Sequence, residues 1–214
     1  MRSLSASSGQ RLKRLKDLSW LNASQIGKFA NALSISWLDG REILVDQRSS
    51  TDTAYILISG VAQVTCRNRK GRRVVVTMLP PGVIPSFTPP VLGINSNFRC
   101  EAVTSCQIGT IDWDPFVHIC LGARSADFKR LARGCLGRWD AVQLRCLNFM
   151  SCTLAERLAL ILLELSDDFG VPHAMGVRLT IEARQKDLAQ LLSASRPSIS
   201  TAWRRSLNPQ RFDS

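Results

Sequence analysis

The C-terminal part of the chain carries cationic and hydrogen-bonding side chains at helical spacing. After Ser195, the apolar residues Ile199, Ala202 and Trp203 recur with the period of one helix face. The opposite face has no acidic residue, and its polar members are Arg196, Ser198, Ser200, Thr201, Arg204 and Arg205. Arginines and hydroxyls can reach base edges and phosphates. The spacing therefore predicts a surface that reads a nucleic-acid groove.

Two short helices are predicted to position this surface. The first spans Gln185–Leu192, with an apolar face made mainly of leucines. Ser193–Ser195 breaks the pattern, and a second helix follows over Arg196–Leu207 with Ser195 as its N-cap. Pro197 is tolerated in the first turn because early helical N–H groups lack partners in any case. Two helices joined by a three-residue turn form a helix-turn-helix.

The preceding parts of the chain predict a mostly β domain and a long helix. Residues 9–36 have helical periodicity, with Asn22–Gln25 as a turn and a helix start. Between Trp37 and Ile111, short β-branched runs alternate with glycine turns, a pattern typical of a barrel or β-roll. Residues 85–97 contain three prolines and are predicted to form a loop.

A helix over residues 125–150 has apolar residues at alternating spacings of four and three. These residues are Phe128, Ala132, Cys135, Trp139, Val142, Cys146 and Phe149. Such spacing is that of a coiled-coil seam, which one helix cannot bury alone. It favours a two-fold dimer, and the alternative is packing on the β domain of the same chain. A further buried helix is predicted over Thr153–Asp167.

Composition limits the class of protein. The 214 residues include 28 lysines and arginines against 17 acidic residues, a net charge of +11 that suits an anionic partner. No apolar run reaches the roughly 18 to 20 residues that span a bilayer, and the N-terminus lacks the apolar region of a secretory signal. Seven cysteines without a C-x-x-C pair are expected to be reduced thiols of a cytoplasmic protein.

Neither catalysis nor metal binding is indicated. The sequence offers no nucleophile–base pair, no metal-ligand set and no phosphate-binding loop of the form G-x-x-x-x-G-K-[ST]. His118 and His173 are far apart in sequence. We therefore expect a protein that is not an enzyme and that has no cofactor or metal.

Four segments resemble one family, the catabolite activator/fumarate–nitrate regulator (Crp/Fnr) family of bacterial transcription factors. The segments are Tyr55–Val64 (YILISGVAQV), Leu79–Gly82 (LPPG), Ala155–Ala159 (AERLA) and Lys186–Ser200 (KDLAQLLSASRPSIS). The last is similar to the family's helix-turn-helix and is specific, whereas the glycines of the β region are weak evidence alone. Together the segments span nearly the whole chain.

The resemblance implies an α+β protein with three parts. Residues 1–124 would form a β-roll effector domain with N-terminal helices, like a cyclic-nucleotide-binding domain. Residues 125–150 would form the dimerisation helix, and residues 151–214 a helix-turn-helix DNA-binding domain of the winged-helix type. The family also implies homodimers that bind palindromic double-stranded DNA and contact RNA polymerase.

In such a DNA-binding domain, Arg196 would contact base edges or a phosphate from the first turn of the recognition helix. Hydrogen bonds would come from Gln185, Ser195, Ser198 and Thr201, and phosphate neutralisation from Lys186, Arg204 and Arg205. In many members a glutamate follows the Ser-Arg pair and accepts from a cytosine. Pro197 stands there in this chain, so we expect a different preferred sequence.

Other departures from the family concern the effector and the end of the chain. After Gly82, the sequence VIPSFTPP lacks the glutamate and arginine that hold cyclic AMP, and no cysteine precedes Cys66 to hold an iron–sulfur cluster. We therefore expect control by neither. Family alignment places effector contacts at Phe87, Arg138, Val142 and Gln143, and the effector is unknown.

The family's wing is a β-hairpin after the recognition helix. Only seven residues follow Leu207, so the wing is expected to be truncated. An alternative function follows from this, namely an effector-binding or dimerising module that has lost regulation through DNA.

Overall fold

A computed structural model describes residues 6–15, 18–45, 52–67, 71, 73–84, 98–121, 126, 129, 143–182 and 184–206. The chain divides into two compact units, Met1–Trp139 and Asp140–Ser214. No helix in these described ranges is long and apolar enough to cross a membrane.

In its described residues, the first unit has three helices and eight strands. The helices are α1 (Ala6–Arg14), α2 (Ala23–Ala32) and α3 (Trp113–Leu121). The strands are β1 (Ser34–Leu38), β2 (Ile43–Val45), β3 (Thr53–Ser59), β4 (Ala62–Arg67), β5 (Arg73–Leu79), β6 (Gly82–Ile84), β7 (Phe98–Ala102) and β8 (Cys106–Asp112). Asn22 begins α2 as predicted, because its side chain accepts from the Gln25 N–H while the Gln25 side chain accepts from the Asn22 N–H.

The strands form two antiparallel four-stranded sheets. One has the order β1-β8-β3-β6 and the other β2-β7-β4-β5. Among these strands, β4 and β5 are the one pair that is consecutive in sequence, and the other partners, such as β1 and β8, are distant in the chain. This is the arrangement of a roll rather than a meander. The prediction of a β-roll, and with it of an α+β fold, is confirmed.

Strand β3 lies between two apolar clusters and is buried on both faces. Leu57 packs with Val64 and Ile108 in a cluster of residues from both sheets. The alternate residues Ala54, Ile56 and Ile58 pack instead against the three helices. This second cluster includes Leu12 of α1, Phe29 of α2 and Phe116 of α3. A strand covered on both faces is apolar throughout, because successive side chains point to opposite faces.

Two segments of the first unit differ from the sequence prediction. The predicted helical region extends to residue 36, whereas β1 begins at Ser34 and pairs with β8, with Ser34 opposite Thr110. Sheet pairing with a strand distant in sequence overrides the local helical pattern there. The predicted strand region ends near Ile111, whereas β8 continues to Asp112 and helix α3 begins at Trp113.

The second unit shows four helices and one hairpin within the part of it that the structure describes. Residues 143–151 are helical and are named α4 here. They are followed by α5 (Leu154–Phe169), β9 (Gly170–His173), β10 (Gly176–Leu179), α6 (Gln185–Leu191) and α7 (Arg196–Ser206). Thr153 and Glu156 form a capping box at the start of α5. The wing lies outside the described residues.

Two side-chain contacts join α4 to α5. Arg145 forms an ion pair with Glu164, and the guanidinium of Arg157 lies 5.1 Å from the centroid of the Phe149 ring. Burial raises the pKa of Glu164, an effect that the nearby Arg145 opposes. These contacts attach the end of the predicted dimerisation helix to the unit that carries the helix-turn-helix.

Candidate nucleic-acid interface

Helix α7 rests on α5 and α6 through the apolar face predicted from the sequence. Ile199 is fully buried and Ala202 is nearly so, while Trp203 is half-buried. In α6, Leu188 and Leu191 are buried. Burial of one helix face leaves the other free for a ligand.

The turn between the two helices contains a residue in the left-handed region. Ser193 has φ +50°. The Crp/Fnr helix-turn-helix motif that the segment Lys186–Ser200 resembles has glycine at this position. The turn is closed by a hydrogen bond from the Ala194 N–H to the Ala189 carbonyl, at 2.9 Å. A serine in this conformation is strained relative to glycine, which has no Cβ.

Side-chain hydroxyls organise the first turns of α7. The Ser198 N–H donates to Ser195 Oγ at 3.2 Å, so Ser195 caps the helix as predicted. The hydroxyls of Ser195 and Ser198 are also hydrogen-bonded to each other at 2.7 Å. One turn further on, Thr201 Oγ1 donates to the Pro197 carbonyl at 3.0 Å.

All eight residues predicted to bind DNA are exposed. They are Gln185, Lys186, Ser195, Arg196, Ser198, Thr201, Arg204 and Arg205. Six belong to α7 or its N-cap, and Gln185 and Lys186 begin α6. The helix-turn-helix thus presents these side chains to solvent from its two helices and the turn between them.

The centre of the exposed face was not recognised from the sequence. At about 100° per residue, the direction opposite the buried side of α7 passes through Pro197, Thr201 and Arg204. All three are exposed, at positions i, i+4 and i+7. Arg196 lies to one side of this line. The sequence places Thr201 and Arg204 on the polar face, and the helical spacing adds Pro197 to it as an exposed residue.

One exposed cation near the interface already has an acidic partner. Arg184, just before α6, donates to Glu182 at 2.7 Å, and this hydrogen bond lowers the pKa of the Glu182 carboxyl. The Arg184 N–H also donates to Asp187 Oδ2 at 3.1 Å. The positive charge of Arg184 is therefore already partly neutralised by Glu182 and is less available to a phosphate.

Most residues predicted for the dimer seam and the effector site lie outside the described residues. These are Phe128, Ala132, Cys135, Trp139 and Val142 of the seam, and Phe87, Arg138 and Val142 of the effector site. Cys146 is exposed, and Phe149 is half-buried beside Arg157. Gln143 is exposed. The large exposed apolar side chains of α4 are Leu144, Leu147 and Met150, which the sequence analysis did not select.

A buried carboxylate in the first unit was also missed. Glu101 on β7 is only 5% exposed and forms an ion pair with Arg73 of β5. Arg99 Nε lies 3.6 Å from the same carboxylate. Cys100, between Arg99 and Glu101 in sequence, belongs to the apolar cluster between the sheets. Because strand residues alternate, Arg99 and Glu101 point away from that cluster.

Three of the described thiols, those of Cys100, Cys106 and Cys120, are buried packing groups. Cys100 and Cys106 are buried between the sheets, and burial raises the pKa of Cys100 to about 12. Among the residues that the structure describes, no three histidine, cysteine or acidic side chains cluster as a metal site would require.

Known proteins of similar sequence and fold are transcription regulators. No family model matches the chain. The chain is 24% identical over 179 residues to the HTH-type transcriptional regulator Cmr of Mycobacterium tuberculosis. The matched region covers 84% of this chain and 68% of that protein.

Two solved structures show the likeness of fold. The c-di-GMP responsive global regulator CLP of Xanthomonas campestris matches with a TM-score of 0.67 and 16% identity, over 87% of this chain and 92% of that one. A CRP/FNR-family transcriptional regulator from Thermus thermophilus matches with a TM-score of 0.62 and 16% identity, over 81% and 86%.

These similar proteins are transcription regulators and not enzymes, in agreement with the prediction made from the sequence. The resemblance to Crp/Fnr regulators found in the sequence is confirmed by these similarities, in sequence to the regulator Cmr and in fold to CLP and the Thermus thermophilus regulator.

Proposed function

We propose that this regulator acts as a cytoplasmic homodimer that binds a palindromic site in double-stranded DNA with α7 in the major groove. The observation that carries the proposal is the exposed face of α7, which holds three arginines and no acid and is backed by a buried apolar face. A helix-turn-helix of this kind places the first turns of its second helix against base edges. Contact with RNA polymerase is part of the proposal through the family resemblance.

The proposed roles divide by position along the two helices. Arg196, in the first turn of α7, contacts a base edge, and a guanine offers the best pair of acceptors for arginine. Arg204 and Arg205 come about two turns later and neutralise phosphates, as does Lys186. Gln185, Ser195, Ser198 and Thr201 complete the polar surface.

Fluorescence anisotropy with labelled duplexes tests the proposal. A duplex selected by the chain from a random pool should bind more tightly than a scrambled duplex. Affinity should fall steeply with salt, because each neutralised phosphate releases a counterion. Equal, weak binding to every sequence would favour the alternative of a module that no longer regulates through DNA.

We expect Trp139→Glu to convert dimers into monomers. Trp139 is the largest side chain of the predicted seam, and a carboxylate in its place would have to be buried without a partner. Sedimentation velocity measures the result. Met175→Glu is the matched control, because Met175 is 92% exposed in the turn between β9 and β10. A Trp139→Glu variant that remains dimeric would refute the seam.

We expect cyclic AMP not to bind at micromolar concentration. The cyclic phosphate needs a charge-assisted donor, and the arginine nearest in sequence, Arg99, is held beside Glu101 on the face of β7 opposite the apolar cluster. Isothermal calorimetry measures the binding, with the heat of binding to the selected duplex as the control for active protein. A dissociation constant in the micromolar range or tighter would contradict this prediction.

We also propose that the protein works without an iron–sulfur cluster or another resident cofactor. Two of the described cysteines support this, since Cys100 and Cys106 are buried in the apolar cluster between the sheets. A small-molecule effector remains unidentified.

A further inference from the structure

The outermost part of α7 is apolar over its first two turns. Pro197 and Thr201 are both exposed and lie at positions i and i+4 on the line directly opposite the buried face. Pro197 has a hydrocarbon ring, no N–H and no acceptor in its side chain. If α7 lies in the major groove of DNA, these two residues are the ones nearest to the floor of that groove.

The hydroxyl of Thr201 is bonded back to its own helix, so the methyl group is the branch of this side chain left for an apolar contact. The hydroxyl hydrogen is donated to the Pro197 carbonyl at 3.0 Å, so it cannot be donated to a base. The same bond fixes the threonine rotamer, as back-bonded threonines in helices commonly do. The neighbouring hydroxyl of Ser198 is similarly engaged with Ser195.

A hydrocarbon surface in the major groove can distinguish one base from the other three. Thymine alone carries a C5-methyl group there, and threonine methyl groups are among its usual contacts. Cytosine, adenine and guanine lack this methyl group, so the apolar contact is lost when one of them stands in the same place. The apolar surface therefore favours one base without any hydrogen bond.

We propose that Pro197 and Thr201 together contact the methyl group of a thymine, beside the base that Arg196 contacts. The proposal rests on the DNA-binding function above and adds one base to its specificity. It also supplies a role for Pro197, which has no acceptor to offer a cytosine.

The test replaces each thymine of one half-site in turn by deoxyuridine, in a duplex selected from a random pool by the wild-type chain. Deoxyuridine removes only the methyl group and keeps the O4 acceptor. We expect one replacement near the guanine to lower affinity about fourfold, the value for one buried methyl group, and the others to have little effect. Fluorescence anisotropy measures each duplex.

Two variants of one residue provide the matched controls. Thr201→Ser keeps the hydroxyl and loses the methyl group, so its preference for thymine over uracil should fall towards one. Thr201→Val keeps methyl groups and loses the hydrogen bond to Pro197, so its preference should persist. A Thr201→Ser variant with the wild-type preference would overturn the proposal.

The two levels of the proposal fail in different ways. A wild-type chain that prefers its selected duplex but binds thymine and uracil equally at every position would overturn the thymine contact and leave DNA reading intact. A chain that enriches no sequence from the pool would overturn the proposed function, and the thymine contact with it.

Discussion

Replacing Arg196 with alanine is expected to weaken binding to the selected operator by about 1–3 kcal/mol and to flatten the discrimination between operators. Arg196 is exposed, has no acidic neighbour on α7, and is the only cation in the first turn of that helix. A bidentate contact to a base edge costs this much when lost, and its loss is felt only at the base concerned. Anisotropy titrations with matched and scrambled duplexes measure the specificity ratio.

Arg204→Ala is the matched control on the same helix. Arg204 is also exposed, but it lies about two turns from the start of α7, where contacts to phosphates rather than to bases are expected. This variant should bind all sequences more weakly by a similar factor and lower the salt slope by about one unit. If Arg196→Ala left the specificity ratio unchanged, the assignment of the first turn of α7 to the groove would be wrong.

Gly60→Ala is expected to destabilise the first unit by about 2–5 kcal/mol. Gly60 joins β3 to β4 with φ +94°, a conformation that is costly for alanine. A Cβ there would also lie 2.5 Å from the Ser105 carbonyl oxygen and 2.7 Å from Cys106 Sγ. Because one of these atoms belongs to the backbone, the clash cannot be relieved by a rotamer change. Urea unfolding measures the loss, with Trp20 and Trp113 as fluorescent reporters packed against the helix cluster.

Gly71→Ala separates the clash from the backbone strain. Gly71 also has a positive φ, +73°, but nothing lies within 4 Å of the place where its Cβ would be. Its replacement should therefore cost only about 1–2 kcal/mol, the penalty for the left-handed conformation. Similar losses for Gly60→Ala and Gly71→Ala would show that the contact with Ser105 does not limit the substitution.

The helix-turn-helix was predictable from the sequence because its determinants are local. The spacing of Leu188, Ile199 and Ala202 defines which sides are buried, and that burial is observed. Ser195 caps α7 through an N–H only three residues away. Likewise, Asn22 and Gln25 mark the start of α2 within one turn. Interactions that close within a few residues are present in the sequence pattern itself.

Contacts between distant residues could be decided only by the tertiary structure. Residues 34–36 continue a helical pattern, yet pairing with β8, about 75 residues away, makes them a strand. Arg99 carries no sequence signal for its partner, and its position beside Glu101 depends on the face that β7 turns towards the other sheet. The rotamer of Thr201 was equally undetermined. The hydroxyl could donate either to water or to the Pro197 carbonyl. In the folded helix that carbonyl lies within hydrogen-bonding distance and accepts the bond. The sequence thus determined the type and location of the helix proposed to read DNA, while the three-dimensional arrangement decided which chemical groups that helix leaves exposed.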